Sequence, residues 1–257
     1  MNYIQQEKLD LESLKKLIRG EILAIWVPNY FPINKAKNCA DTILRDEYEF
    51  YAYAPGEVGR YGLSFSETQS SEKIASQYFT SAKPSIDRIR QYFTPSLSPI
   101  DILRLELDEI WPSGANIERY NQQLMFVGLC RVIEPETYVL PHQDMVTWNV
   151  SNESSLKSIK TQLAANIYLQ VPENGGDLEL WSFGLDHGSY QNKSDGLYGI
   201  NHCHLPEPST SLKAFTGDLI LFNAQNLHSI RPGNTHRLTA SCFIGYRNDN
   251  LPLTYWS

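Results

Sequence analysis

From residue 124 onward, the chain consists of short runs in which apolar residues alternate with polar ones or stand together. Turns rich in glycine, asparagine and proline separate these runs. Such a pattern predicts β-strands. We predict strands at 124–131, 137–142, 162–171, 177–183, 219–222, 227–230 and 237–246. Short strands separated by glycine turns are typical of a jelly roll.

The first part of the chain has a different pattern. Apolar residues recur at helical spacing in 11–18, 33–44, 71–93 and 100–110, whereas 22–27 has the character of a strand. We predict an interruption of the third helix near Pro84. Residues 46–70 combine aromatic side chains with Pro and Gly, which predicts an ordered loop or hairpin and a candidate pocket wall. Residues 184–211 lack apolar periodicity, which predicts a long surface loop and a candidate lid.

These patterns predict a fold that is mainly β with flanking α. The expected architecture is a double-stranded β-helix (jelly roll, cupin-like) with N-terminal helices packed on one sheet. We expect one domain over 1–257, with an N-terminal helical and substrate-pocket part (1–123), a jelly-roll core (124–246) and a C-terminal tail (247–257). A composition of 42% hydrophobic and 20% charged residues agrees with a single domain that buries a substantial core.

The net charge and the cysteine pattern narrow the functional class. A formal charge of -7 disfavours nucleic acid or an anionic membrane as a partner, because both require dense Lys and Arg. The chain has no apolar run of about 18 residues and no signal-peptide pattern at its start, so we expect a cytoplasmic protein. Its four cysteines are far apart and form no CxxC motif, which suits reduced thiols.

Two stretches far apart in sequence carry the candidate chemistry. His142 and Asp144 end one predicted strand, where alternation places both side chains on the same face. His228 lies in the predicted strand 227–230, and Arg237 begins the last one. Two imidazoles and one carboxylate are donors that hold ferrous iron on one face, and a guanidinium beside them suits a carboxylate-bearing cosubstrate.

Each of these residues also has a plainer explanation when taken alone. His142 and Asp144 could form a hydrogen-bonded pair, His228 could be a core histidine, and Arg237 could close a turn. The order, the spacing and the strand context together favour one shared metal site.

The four other histidines of the chain are alternative ligands. His236 could replace His228, but alternation places it on the strand face opposite Arg237. His202 and His204 come from a predicted loop without further ligands nearby, and His187 lies in the predicted lid. We therefore predict that His142, Asp144 and His228 are both the metal ligands and the catalytic residues.

At His142-x-Asp144, the Gly217-Asp218 turn, His228 and Arg237, the chain resembles the Fe(II)/2-oxoglutarate-dependent oxygenases of the double-stranded β-helix fold. The resemblance covers roughly residues 124–246. It is strongest to small, carrier-protein-independent hydroxylases and halogenases that act on free amino acids and alkaloid-like natural products. Halogenases of this branch carry Gly or Ala in place of the carboxylate ligand. Asp144 occupies that position here, so the resemblance implies hydroxylation rather than halogenation.

The resemblance also implies Fe(II), 2-oxoglutarate and O2 as cofactor and cosubstrates, with Arg237 binding the distal carboxylate of 2-oxoglutarate. Polar residues on the same strand faces and after the His-Asp pair are further candidates. For the cosubstrate these are Arg237, Thr239, Gln162 and Tyr168, and for the substrate Trp148, Asn149 and Asn166. An internal hydrogen-bond network would give the same polar pattern on the strand 162–171, so that alternative stays open.

The expected activity is hydroxylation of an unactivated C–H bond of a small molecule, an amino acid or a specialised metabolite, with release of succinate and CO2. Glu47, Glu49 and Glu57 in the aromatic region would suit an amine-bearing substrate, and Arg60 would suit a carboxylate. The alternative from another class is a non-catalytic jelly-roll protein that binds or senses metal and 2-oxoglutarate.

Overall fold

The computed structural model describes residues 2–51, 57–195 and 198–257. Its helices are α1 Leu11–Ile18, α2 Ile33–Ile43, α3 Glu72–Gln91, α4 Pro99–Ile110 and α5 His187–Ser194. The strands up to the first metal-ligand candidate are β1 Tyr3–Gln5, β2 Ala24–Val27, β3 Glu49–Phe50, β4 Val58–Tyr61, β5 Ala115–Ile117, β6 Arg119–Tyr120, β7 Gln123–Leu124, β8 Leu129–Ile133 and β9 Val139–His142. The later strands are β10 Thr161–Gln170, β11 Leu178–Leu180, β12 Thr210–Leu212, β13 Leu219–Asn223, β14 His228–Ile230, β15 Arg237–Tyr246 and β16 Leu253–Trp256.

The strands form two sheets that face each other, and β6 and β7 form a separate hairpin. The large sheet has the order β1-β2-β13-β10-β15-β8-β4-β3, and β16 joins it by pairing with β15 and β5. The small sheet has the order β12-β11-β14-β9. Most strand pairs join strands that are not consecutive in the chain, as in a jelly roll. The predicted fold class is confirmed.

The large sheet is buried on both faces. On β15, Leu238, Ala240 and Ile244 pack in the core that also contains the buried faces of α1 to α4. Residues Ser241 and Phe243 point the other way, toward the cavity between the sheets. This confirms the alternation predicted for 237–246, and it places N-terminal helices on one sheet as expected.

The Gly217-Asp218 turn connects the first strands of the chain to the barrel. Gly217 has φ +96, and an added Cβ would lie 2.5 Å from the Phe31 carbonyl oxygen, so glycine is required here. Asp218 is 2% exposed. Its carboxylate accepts hydrogen bonds from Trp26 Nε1 at 2.8 Å, from Asn29 N at 3.0 Å and from Phe215 N at 2.9 Å.

Helix α3 runs without a break through Pro84, so the predicted interruption is wrong. Proline removes one backbone donor, but Tyr78, Ala82, Ile86 and Ile89 form a continuous buried face across that position. Packing of this face stabilises the helix on both sides of the missing bond.

The segment 184–211 is not the predicted structureless loop, because it contains α5, a 3-10 turn at His202–His204 and β12. The polar helix α5 has no apolar stripe that would have revealed it. Its N-terminus is capped by Asp186, whose side chain accepts from Ser189 N at 3.0 Å.

Several predicted boundaries also differ from the observed ones. The predicted strand 124–131 is split because Gly128, at φ +104, separates β7 from β8, and the strand 177–183 shrinks to β11. The predicted tail 247–257 contains β16, which the sequence pattern missed. The aromatic region 46–70 forms the β3–β4 hairpin, although Tyr53, Pro55 and Gly56 lie outside the described residues.

Candidate active site

His142, Asp144 and His228 come together between the two sheets. The pairing of β9 with β14 places His142 opposite His228, and their ring centroids are 4.3 Å apart. Asp144 follows β9, and its Oδ2 lies 3.4 Å from His228 Nε2. One ligand atom from each residue lies within 4.8 Å of the others. This set has the composition of the two-histidine, one-carboxylate iron site.

Both imidazoles are oriented by the backbone. His142 Nδ1 lies 2.8 Å from the Leu140 carbonyl oxygen, and His228 Nδ1 lies 3.0 Å from the Asn226 carbonyl oxygen. A carbonyl oxygen only accepts, so each Nδ1 carries the hydrogen and donates it. Each Nε2 is then left with a lone pair for a metal ion.

The turn that carries Asp144 is held by neighbouring segments. Asp144 N donates to the Ala224 carbonyl oxygen at 2.8 Å. Gln143, between the two ligands, donates to the Leu185 carbonyl oxygen and accepts from Leu185 N, both at 2.8 Å. Gln162 Oε1 accepts from Val146 N at 2.8 Å. These bonds connect the ligand turn to the segment before α5 and to β10.

The protonation states of the cluster suit a divalent cation. Burial lowers the pKa of His142 to about 4, and the nearby His228 acts in the same direction. Burial alone would raise the pKa of Asp144, but hydrogen bonding to His228 and the charge of His142 lower it to about 2. At neutral pH, His142 is therefore neutral and Asp144 is ionised, as metal coordination requires.

Arg237 and Tyr168 form a second polar group in the interior. Arg237 is 2% exposed, and its guanidinium carbon lies 4.8 Å from the centroid of the Tyr168 ring. Within the described structure, Arg237 Nε and Nη2 and Tyr168 Oη are buried without hydrogen-bond partners. Unpaired buried donors are costly, so these atoms fit the carboxylate of a bound 2-oxoglutarate.

The metal cluster and Arg237 share one cavity of about 220 Å³. Trp148, Asn149 and Asn166, the predicted substrate contacts, line this cavity, as does Gln162. Trp148 packs against α5, with ring centroids 4.9 Å from His187 and 5.5 Å from Tyr190. Thr239 is 1% exposed and lies beside Tyr168 in the sheet, and neither of these two residues is among the lining residues.

Several lining residues were not predicted from the sequence. Arg131, Tyr51, Tyr190 and Tyr198 all contribute to the cavity wall. Arg131 gave no clear signal, because it stands at the end of the predicted strand 124–131, where an arginine can reach solvent. The tyrosines come from loops and α5, and their position depends on tertiary packing.

The other candidate residues from the sequence lie outside the metal cluster. His236 forms an ion pair with Glu134, with Nε2 and Oε2 2.9 Å apart. His202 and His204 lie in the 3-10 turn and do not belong to the metal cluster. Arg60 is 5% exposed and pairs with Glu67 at 2.5 Å and Glu49 at 2.9 Å, so its charge is already neutralised.

The jelly roll, the two-histidine, one-carboxylate cluster and the buried arginine together define an Fe(II)/2-oxoglutarate-dependent oxygenase. Residues 3–257 match the family described as carrier-protein-independent halogenase WelO5, and the chain belongs to this family. Within it, Asp144 supplies the carboxylate ligand, so the protein is of the hydroxylase type and not a halogenase.

Characterised relatives share part of this chain. The L-γ-glutamyl-L-propargylglycine hydroxylase of Streptantibioticus cattleyicolor is 27% identical over 199 residues, which cover 73% of this chain and 70% of that protein. The L-isoleucine 3(1)-dioxygenase of Pantoea ananatis is 29% identical over 130 residues, or 46% of this chain and 42% of that protein.

A solved structure shares the fold. The N-substituted L-amino acid dioxygenase of Burkholderia ambifaria AMMD superposes with a TM-score of 0.66 at 17% identity, covering 97% of this chain and 92% of that one. Its complex with 2-oxoglutarate gives a TM-score of 0.65 at 19% identity, covering 95% and 90%. In the described parts of our structure, no helix is both long and apolar enough to cross a bilayer.

Proposed function

We propose that this protein hydroxylates an unactivated C–H bond of an amino acid or an amino-acid-derived metabolite. The observation that carries the proposal is a complete set of iron ligands in the same cavity as a buried, unpartnered arginine. The names of the relatives, a γ-glutamyl dipeptide hydroxylase and an isoleucine dioxygenase, support a small amino-acid substrate. A pure binding protein needs no metal site that leaves positions open.

The residues divide the work between the two sides of the cavity. His142, Asp144 and His228 would hold Fe(II) through two Nε2 atoms and a carboxylate oxygen. Arg237 and Tyr168 would hold the distal carboxylate of 2-oxoglutarate, with Thr239 supporting them. When bound, iron(II), 2-oxoglutarate and O2 together supply the oxidation that converts C–H to C–OH, yielding succinate and CO2.

The remaining residues would position the substrate. We assign Trp148, Asn149 and Asn166 to substrate contact because they line the cavity, and Gln162 to the turn that carries Trp148. Positioning matters because geometry decides which C–H bond is attacked. We place the reaction in the cytoplasm, since all four cysteines are free thiols and ferrous iron requires a reducing environment.

The acidic residues that suggested an amine-bearing substrate give that hypothesis no support. Glu47, Glu49 and Glu57 are exposed, and none of them lines the cavity. Glu49 pairs instead with Arg60.

The test is anaerobic titration of the purified protein with Fe(II) and 2-oxoglutarate, followed by a substrate screen. We expect the weak visible charge-transfer band of an iron-bound 2-oxo acid. We then expect succinate production and a mass gain of one oxygen with an amino-acid-derived substrate. A folded protein that gives the band but produces no succinate with any substrate would instead be the non-catalytic jelly-roll binder. A folded protein that gives no band would contradict the proposed cofactors.

A further inference from the structure

Arg131 is the second guanidinium that lines the cavity. It lies on β8 next to Thr239 of β15. Its guanidinium carbon is 5.9 Å from the centroid of the Tyr51 ring, and its Nη2 is 3.5 Å from Tyr51 Oη. Burial alone would lower the pKa of Arg131, but Tyr51, Tyr198 and the charge of Asp144 raise it, so Arg131 stays charged. In the described ranges, Arg131 forms no ion pair with a carboxylate, in contrast to Arg60.

The charges around the cavity show why Arg131 needs a further partner. Fe(II) would bring two positive charges, Arg237 one positive, Asp144 one negative and 2-oxoglutarate two negative. These four contributions cancel. Imidazoles coordinate a metal ion in their neutral form, so histidine ligands add no charge to this sum. Arg131 is then left as an unbalanced positive charge in the wall of the cavity, and an unpaired charge in a protein interior is costly.

We propose that Arg131 binds a carboxylate of the substrate, and that the substrate is a carboxylic acid whose nitrogen is acylated or otherwise uncharged. This rests on the proposed function and names the substrate class within it. An Arg fork and a carboxylate form paired, charge-assisted hydrogen bonds. An anionic substrate of this kind would bring the sum of charges back to zero, whereas a zwitterionic amino acid would leave it at one positive charge.

The cavity also lacks a partner for an ammonium group. Asp144 is the one acidic side chain among its lining residues in the described structure, and that carboxylate is a metal ligand. The stretches outside the described ranges contain no Asp or Glu in their sequence. Ser257 also lines the cavity, but its main-chain oxygen already accepts hydrogen bonds from Tyr78 Oη at 2.9 Å and from Phe65 N at 3.0 Å. This oxygen is therefore not a free acceptor for an ammonium group.

The experiment measures ligand binding to the protein loaded with Fe(II) and 2-oxoglutarate under anaerobic conditions. The probes are N-acetyl-L-leucine and N-acetyl-L-phenylalanine, the corresponding free amino acids, and the corresponding N-acetyl amides. Binding is followed by calorimetry and by the change in the visible band, so turnover is not required. We expect at least one N-acetyl acid to bind about tenfold or more tightly than both its free amino acid and its amide.

Arg131→Gln should remove this preference while the Kd for 2-oxoglutarate changes by less than about twofold. Arg131→Lys keeps the charge but not the fork, and we expect it to restore part of the preference. Arg119→Gln, at an exposed position of β6, is the matched control and should bind like the wild type. Thermal unfolding of each variant identifies those that fail to fold.

Three results would overturn the proposal. The first is free amino acids or amides that bind as tightly as the N-acetyl acids, and the second is a panel in which no N-acetyl acid binds. The third is an Arg131→Gln variant that loses affinity for 2-oxoglutarate alone, which would assign Arg131 to the second carboxylate of the cosubstrate. Absence of the visible band in the wild-type protein would refute the proposed function itself, and this inference with it.

Discussion

The two walls of the cavity differ in whether their polar side chains already have hydrogen-bond partners. On the small-sheet wall, the Nδ1 atoms of His142 and His228 already donate to carbonyl oxygens. On the large-sheet wall, Arg237 has buried polar atoms without partners in the described structure, and so does Tyr168, which lies beside Arg237 but does not line the cavity. The protein itself orients the two imidazoles of the proposed metal site, whereas under the proposed function a bound anion would complete the opposite wall.

This difference has an energetic consequence. Hydrogen-bonded ligands lose little freedom when a metal binds, so their geometry is set before binding. Unpaired buried donors destabilise the ligand-free protein, and an anion that pairs with them stabilises it. We call the small-sheet wall with His142 and His228 the metal wall, and the large-sheet wall with Arg237 the anion wall. We expect substitutions on the metal wall to weaken metal binding and activity. Substitutions on the anion wall should weaken 2-oxoglutarate binding and stabilise the ligand-free protein.

The largest effect should come from Asp144→Gly, which removes one of three metal ligands. We expect iron affinity to fall by more than about 100-fold and hydroxylation to be lost, because removal of a supporting contact alone costs about 10- to 100-fold. Metal content and succinate production measure both effects. Asp195→Gly is the control, since Asp195 is exposed and has φ 50, a conformation that glycine adopts readily. Hydroxylation at the wild-type rate in Asp144→Gly would remove Asp144 from the ligand set.

On the anion wall, Arg237→Ala should raise the Kd for 2-oxoglutarate by about 100-fold, since it removes a buried, charge-assisted pair. Metal binding without 2-oxoglutarate should change little, which separates the two walls. Anaerobic titration of the visible band measures the first quantity and equilibrium dialysis the second. Arg119→Ala, at the exposed position, should resemble the wild type. An unchanged 2-oxoglutarate Kd in Arg237→Ala would contradict the assignment.

The metal wall should also make the stability of the metal-free protein depend on pH. The folded protein binds a proton at His142 only near pH 4, because burial lowers that pKa, whereas the unfolded chain binds it near the ordinary pKa of about 6.5. The free energy of unfolding should therefore fall as the pH drops from about 6.5 toward 4. Asp144, with its pKa of about 2, adds a further loss only below about pH 4.

Urea unfolding at several pH values, compared between the wild type and His142→Gln, measures this dependence. The difference between the two proteins removes the contribution of titrating groups that do not interact with His142, and it retains the coupling of His142 to Asp144. We expect the wild type to lose up to roughly 3 kcal/mol more than the variant between pH 6.5 and 4, at 1.36 kcal/mol per pH unit. Parallel pH profiles would mean that His142 accepts a proton in the folded state as readily as in the unfolded chain.

Tyr168→Phe should give the smallest effects. It should weaken 2-oxoglutarate binding without destabilising the ligand-free protein. Removing a buried hydroxyl that lacks a partner should leave the ligand-free protein as stable or slightly more stable. The same change removes one donor to the 2-oxoglutarate carboxylate, so the Kd should rise by about three- to tenfold. Thermal unfolding and the anaerobic titration give the two values. A variant that is less stable but binds 2-oxoglutarate normally would assign Tyr168 to packing alone.

Local patterns predicted the features of the fold that depend on one strand at a time. The alternation along β15 indicated its two faces, because each face has a different environment along its whole length. His142 and His228 were predicted as partners from composition and order, and the β9–β14 pairing places them opposite each other. The helix α5 was missed because its cap, and not an apolar stripe, marks its beginning.

Arg131 shows why the rest of the site could not be predicted. Arg131 was the last residue of the predicted strand 124–131, and nothing in that pattern placed it in the cavity. In the structure, β8 is Leu129–Ile133, so Arg131 lies between Leu129 and Ile133 on the inner face. Its proposed role also depends on Tyr51, which is distant in sequence, and sequence spacing carries no information about that contact.

The carboxylate of Asp218 shows that the recognisable motifs do not outline a separate folding unit. Three donors satisfy this buried group, and two of them, Trp26 of β2 and Asn29 just after β2, come from the N-terminal part of the chain. A fragment trimmed to 124–246 would retain every proposed metal ligand and Arg237, yet it would remove two of the three donors to this carboxylate and leave β13 without β2. Expression trials, domain swaps and grafts of this site should therefore carry the N-terminal strands together with the barrel.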